Sequence, residues 1–214
     1  GFETNDTLIN LYKEYADERP GAFENEEGWR MTDWSLPEPP VDYYTDEIMD
    51  EAKEFSDTAV VTIARTGGEG RDEPMDMKAL IDGTYDPRGE YGNALYDYYD
   101  GVYNNNGDYD DFEQGEHYLE LSSTEEAMIE MVSSEFENVI VLINANNTLE
   151  LGWVENEAID AVILAPGTGA TGMAALGEIL NGTMNPSGKT VDTYVYDLTS
   201  TPTYNNFGSF IFNN

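Results

Sequence analysis

The chain has 214 residues, 40% of them hydrophobic and 25% charged. That is enough apolar material for one large core, which excludes wholesale disorder. Its 44 acidic residues face only 9 basic ones, a formal net charge of −35, so nucleic acid and anionic membrane surfaces are excluded as partners, whereas neutral ligands such as sugars are not. The chain has no cysteine, which excludes disulfides, thiolate catalysis and thiolate metal sites.

In chain order, residues 1–20 place Leu8, Leu11, Tyr12 and Tyr15 at helical spacing. Residues 20–44 form a Pro- and Trp-rich arm in which Pro37, Pro39 and Pro40 block helix and strand ladder alike. A helix is predicted at 45–56, then a buried-type strand from Thr58 to Ala64. Residues 65–117 read as one long irregular loop, of the length that is functional or disordered in a compact domain. Ser123 and Glu126 read as a capping box opening a helix with Ala127, Met128, Met131, Val132 and Phe136 on its apolar stripe. Strands follow at Val139–Asn144 and Ile159–Ala165, then a helix from Thr168 to Leu180 stopped by Asn181 and Gly182, and a last strand from Thr190 to Val195. Apolar strands alternating with helices predict an α/β fold, a three-layer sandwich with a mostly parallel sheet and helices on both faces. Residues 1–56 are expected to pack as helix, arm and helix on a sandwich domain of residues 57–214. Ligands of such sheets collect beyond the carboxyl ends of strands, where the 65–117 loop begins.

Four patterns invite chemistry. Gly167, Gly169 and Gly172 spell a dinucleotide-type G-x-G-x-x-G, with Asp192 twenty residues past the last glycine. That aspartate begins a strand near the end of the chain instead of ending the next strand, so the glycines are read as serving a tight turn and close packing. The acidic stretch Asp97–Asp111 lacks the spacing of a calcium-binding EF-hand loop and is read as a solvated loop. His117, the single histidine, lies in an acidic segment and is read as a surface residue; no metal and no cofactor are expected. The fourth pattern is Arg65, Gly68, Glu69, Arg71 and Asp72: a carboxylate among glycines just past a buried strand, flanked by two of the nine bases. Spacing alone leaves two readings, a loop facing a ligand or a local salt-bridged turn.

Taken as a set, these residues resemble a known family. The run from Ile63 and Arg65 through Glu69 to Asp72, Leu119–Ser122 before the capped helix, Val139–Asn144 leading to Glu150–Trp153, the Pro166-Gly167 turn, the Gly172 helix and Asn185–Lys189 are similar in order and interval to the α/β sandwich domain of family 3 glycoside hydrolases, over about 57–194. The resemblance implies a β-glucosidase-type retaining enzyme whose nucleophile is an aspartate on a (β/α)8 barrel and whose general acid/base, here Glu69, comes from the sandwich. Arg65, Gly68, Arg71 and Asp72 would then bind substrate or support the loop, at least one arginine pairing with Asp72. The partners implied are a β-glucoside or oligosaccharide substrate and a barrel domain of the same parent chain.

A barrel alone needs about 250 residues, so none is expected in this chain, which should be inactive by itself. The family domain usually starts with a further strand and glycine-rich loop ahead of Gly1, so the chain reads as a piece with an exposed edge or apolar surface, a route to self-association. The alternative is a non-catalytic carbohydrate-binding or scaffolding α/β domain.

Overall fold

The computed structural model describes residues 2–18, 34, 36, 38–67, 73–86 and 109–205. Its centre is a three-stranded sheet of β1 (Thr58–Arg65), β2 (Asn138–Ala145) and β3 (Ala161–Leu164), in the order β1-β2-β3. Both pairings are parallel, with Thr58 opposite Asn138, Arg65 opposite Ala145, and Ile140 opposite Ala161. Parallel neighbours need a crossover between strands. Between β1 and β2 the chain supplies α3 (Met77–Ile81) and α4 (Ser123–Glu135); α1 (Asp6–Glu18) and α2 (Asp46–Phe55) precede the sheet.

Helix α4 covers one sheet face. Leu121, Met128, Ile129 and Val132 pack there against Val61 and Ile63 of β1 and Val139, Val141 and Ile143 of β2. The fold is thus an α/β sandwich on a parallel sheet. β1 is apolar in sequence, yet its burial alternates: Val61, Ile63 and Arg65 point into the core, while Val60 on the opposite face is 48% exposed. That alternation marks a strand covered on one face. α1 and α2 join the same side, where Leu11, Tyr44 and Met49 meet Met131 and Phe136.

Four sequence expectations shift. The capping box sits one residue earlier than expected: the Ser122 side chain caps α4 and Glu125 closes the box, for a reason that lies in the site below. The helix expected over Thr168–Leu180 is interrupted at Met173 into α5 (Gly169–Gly172) and α6 (Ala174–Leu180). Gly167 and Gly169 both take φ of +59°, a left-handed geometry that starts a turn and not a continuous helix. A phosphate cradle needs the first turn of an unbroken helix, so these glycines serve the turn. Residues 190–195 form no strand; the segment is fixed by a hydrogen bond from the Leu151 amide to the Val195 carbonyl, 2.9 Å, and Val191 is 97% exposed. It is held by the loop after β2, so it does not extend the edge of β3.

The long 65–117 segment is not wholly irregular. Asp76 caps α3, the Met77 amide donates to the Glu116 carbonyl at 2.8 Å, and the Tyr118 amide donates to the Pro74 carbonyl at 3.1 Å. Trp34, Met77, Leu80, Phe112 and Tyr118 make a second core beneath it, with Trp34 and Tyr118 edge to face, ring centroids 5.0 Å apart.

Ile143 is fully enclosed between β1, β3 and α4. Ile143→Ala is expected to lower stability by about 2–5 kcal/mol, whereas Val60→Thr on the exposed face should stay within about 0.5 kcal/mol. Urea unfolding of both variants checks the difference; equal losses would contradict the one-sided core.

Candidate functional site

The site is organised from the carboxyl end of β1. Arg65 is the last residue of that strand, and its side chain is fully enclosed (0% exposed). A buried guanidinium is tolerable only if its five donors are met, and here they are. Nη1 donates to Glu125 Oε1 and Nη2 to Glu125 Oε2, both at 2.7 Å, a two-pronged ion pair. Nε donates to the Tyr118 carbonyl at 2.7 Å, Nη1 to the Ala64 carbonyl at 2.8 Å, and Nη2 to the Glu120 carbonyl. The Tyr118 ring also faces the guanidinium at 5.7 Å, and its hydroxyl accepts the Thr66 amide at 3.2 Å.

Glu125 serves a second purpose. Its Oε2 accepts the Ser122 amide at 2.9 Å, while its own amide donates to Ser122 Oγ at 3.2 Å. The carboxylate that neutralises Arg65 is therefore also the one that closes the cap of α4, which is why the box forms at Ser122 and Glu125 and not one residue later.

The chain leaves this platform through Thr66 and Gly67 and returns at Glu73. Asn147, just past β2, donates to Glu73 Oε1 across the gap. A Cβ on Gly67 would lie 2.5 Å from Asn147 Nδ2 and 3.0 Å from Glu73 Oε1, so only glycine fits at this stem without displacing that contact. The two stems of the 68–72 loop are thereby held together at the mouth of β1 and β2. Of the sequence-predicted site residues, Arg65 lies in this platform, while Gly68, Glu69, Arg71 and Asp72 lie outside the described residues. The donors of Arg65 are taken by Glu125 and three carbonyls.

Sequence reading missed the core on the other side of the platform. His117, expected at the surface, is 2% exposed. The reason is its place beside Tyr118: burying that ring against Trp34 carries the preceding imidazole inside, where the Tyr204 ring lies 5.2 Å away. Burial lowers the His117 pKa to about 4, and the same cause raises Glu120 to about 7. A cavity of about 290 Å³ opens next to it, lined by Glu116, Glu120, Leu121, Glu126, Glu150 and Trp153. The acidic 97–111 stretch is described only at its end: Asp110 pairs with Lys78 at 2.5 Å, and Asp111 is buried beside the α4 cap, with burial raising its pKa to about 6.

Fold and platform together define a class: an α/β sandwich domain whose first parallel strand ends in a buried, fully paired arginine. The model of the "Glycosyl hydrolase family 3 C-terminal domain" matches residues 6–213, and the chain belongs to that family. It is 28% identical over 207 residues to a beta-glucosidase of Ruminococcus albus, covering 97% of this chain and 17% of that protein. It is 29% identical over 172 residues to beta-glucosidase A of Butyrivibrio fibrisolvens, covering 76% and 18%. Among solved structures, a beta-glucosidase from Paenibacillus barengoltzii superposes with a TM-score of 0.65 at 28% identity, over 96% of this chain and 18% of that one. The chain thus spans less than a fifth of the relatives it matches.

Two outcomes test the platform. Glu125→Gln leaves Arg65 buried and unneutralised, and should cost about 3–5 kcal/mol in denaturant unfolding; Arg65→Lys, which cannot make the two-pronged contact, should also destabilise. For Asp111, folding raises the pKa from 3.8 to about 6, so the folded chain binds the extra proton between those values. Its contribution makes stability fall as pH rises from 3.8 to 6 and level off above. Asp111→Asn should flatten the stability profile across that window, as measured by thermal melts at half-unit pH steps; an unchanged slope would contradict the assignment.

Proposed function

We propose that the chain is the acid/base-donating domain of a β-glucosidase-type retaining glycoside hydrolase, with Glu69 as the general acid/base. The observation that carries this reading is the family match over residues 6–213 joined to the position of Glu69 in the short segment that leaves β1 after Gly67 and returns at Glu73. Ligands of parallel α/β sheets collect at that end of the strands. The beta-glucosidase names of the relatives supply the substrate class, a β-glucoside or oligosaccharide.

The chemistry needs a second carboxylate. An aspartate on a (β/α)8 barrel of the parent chain attacks the anomeric carbon while Glu69 gives its proton to the departing glycosidic oxygen. Glu69 then takes a proton from water as the water displaces the aspartate, so the configuration is retained and Glu69 ends protonated. A general acid must hold its proton at working pH. Arg65 favours this by being fully engaged with Glu125, so its charge does not hold Glu69 ionised. Arg71 is then the arginine left to pair with Asp72 and shape the loop, and Gly68 lets the backbone approach the sugar. With half of the carboxylate pair, the chain alone is inactive. Self-association through exposed apolar residues such as Val60 and Val162 is the expected behaviour of the isolated chain.

In the parent enzyme, Glu69→Gln should lower kcat on unactivated β-glucosides by about 10²–10⁴-fold, with a smaller loss on aryl glucosides whose leaving group needs no proton. Normal turnover on the unactivated substrate would remove Glu69 from the role. The 214-residue chain should release no aryl alcohol by itself and should do so only when mixed with a separately produced barrel domain.

A further inference from the structure

The cavity beside His117 is built unlike the rest of the acidic surface. Among the described residues, His117 Nε2 is one of two buried side-chain polar atoms without a hydrogen-bond partner. It points at two carboxylates from different segments, lying 3.3 Å from Glu120 Oε1 and 3.5 Å from Glu150 Oε2. One ligand atom from each of the three side chains lies within 4.8 Å of the other two. Around them the cavity carries two more carboxylates, Glu116 and Glu126, and among the described residues its lining includes no lysine or arginine. Arg65, the one arginine among the described residues, is neutralised by Glu125. An orphaned imidazole nitrogen facing uncompensated carboxylates is a donor set short of a cation.

We propose that His117, Glu120 and Glu150 form a binding site for a divalent metal ion of the zinc type, with water from the cavity completing the coordination. The two separations from Nε2, 3.3 Å and 3.5 Å, fit. Zinc takes nitrogen at about 2.0–2.1 Å and carboxylate oxygen at about 2.0–2.2 Å in a tetrahedron, which sets neighbouring ligand atoms about 3.3–3.4 Å apart. One imidazole with two carboxylates and an open position is a borderline donor set, harder than thiolate sites and softer than the all-oxygen sites of calcium or magnesium. The carboxylates are braced as ligands usually are: Glu120 Oε2 accepts the His117 amide at 3.1 Å, and Glu150 Oε2 accepts the Leu198 amide at 2.7 Å.

Loading has a definite cost. The Leu119 amide points at His117 Nδ1, 3.2 Å away, so the metal-free ring carries its proton on Nε2. Metal at Nε2 moves that proton to Nδ1 and gives up the Leu119 contact, which puts the expected affinity in the micromolar range and not at that of closed structural zinc sites. The bound ion would tie the segment before α4 to the loop after β2 and, through the Glu120 carbonyl, to Arg65 at the root of the 68–72 loop.

Because His117 is the single histidine, its ring nitrogens give an unambiguous signal. The 214-residue chain, stripped with chelator and uniformly ¹⁵N-labelled, is titrated with zinc chloride at pH 7.5 by calorimetry and by long-range ¹H–¹⁵N spectra of the imidazole. The expected result is one saturable site of micromolar affinity, with the Nε2 resonance shifting and its change complete at one equivalent. Glu120→Gln and Glu150→Gln, which keep an oxygen acceptor for the amides, should each weaken that site at least tenfold while melting like the parent in chelator. Only weak, multiple sites spread over the 44 acids, with the imidazole signals unmoved, would overturn the proposal. So would undiminished binding in the Glu150→Gln variant, or calcium binding as tightly with no response from His117.

Discussion

A guanidinium withdrawn from water at the end of a strand is stable only where every donor is met and the charge is cancelled at close range. Arg65 achieves both, and much of the molecule is arranged to let it. Glu125 cancels the charge from the first turn of α4, and the carbonyls of Ala64, Tyr118 and Glu120 take the remaining donors. One side chain thus joins the end of β1, the start of α4 and the segment that leads into it. A buried pair of this kind adds little net stability compared with an apolar replacement, but breaking it leaves an uncompensated charge. Its value is positional: it sets the register of the α4 cap and the root from which the 68–72 loop departs.

That placement connects the fold to the chemistry proposed for Glu69. A general acid must keep its proton near working pH, and a neighbouring free arginine would work against it. Engaging Arg65 inside the protein separates two needs, rigidity at the root of the loop and proton affinity at its tip. Asn147 and Glu73 meet over Gly67 on the other side, so the residues on both sides of 68–72 are anchored. The chain covers only 17% and 18% of the two beta-glucosidases that it resembles.

The pattern of apolar runs made the parallel α/β fold legible, because strands and helices that bury a face must repeat apolar residues at their own period. The same pattern misjudged β1. Its residues are apolar enough for a strand buried on both faces, yet Val60 lies open to solvent, since burial depends on what is laid over a strand and not on the strand alone. The helix after β3 was read as continuous because nothing in Thr168–Leu180 forbids one, whereas the structure divides it at Met173.

From the sequence by itself came the fold class, the family resemblance, the platform arginine and the loop with Glu69, because local propensity, apolar period and a rare basic pair in an acidic chain are written in neighbouring residues. The tertiary structure alone decided that Arg65 pairs with Glu125, sixty positions away, so that the α4 cap forms at Ser122. It alone turned His117 from a surface residue into a buried imidazole facing Glu120 and Glu150. Such pairings are set by distance in space, and a chain with 44 carboxylates offers too many candidate partners for spacing to choose among them.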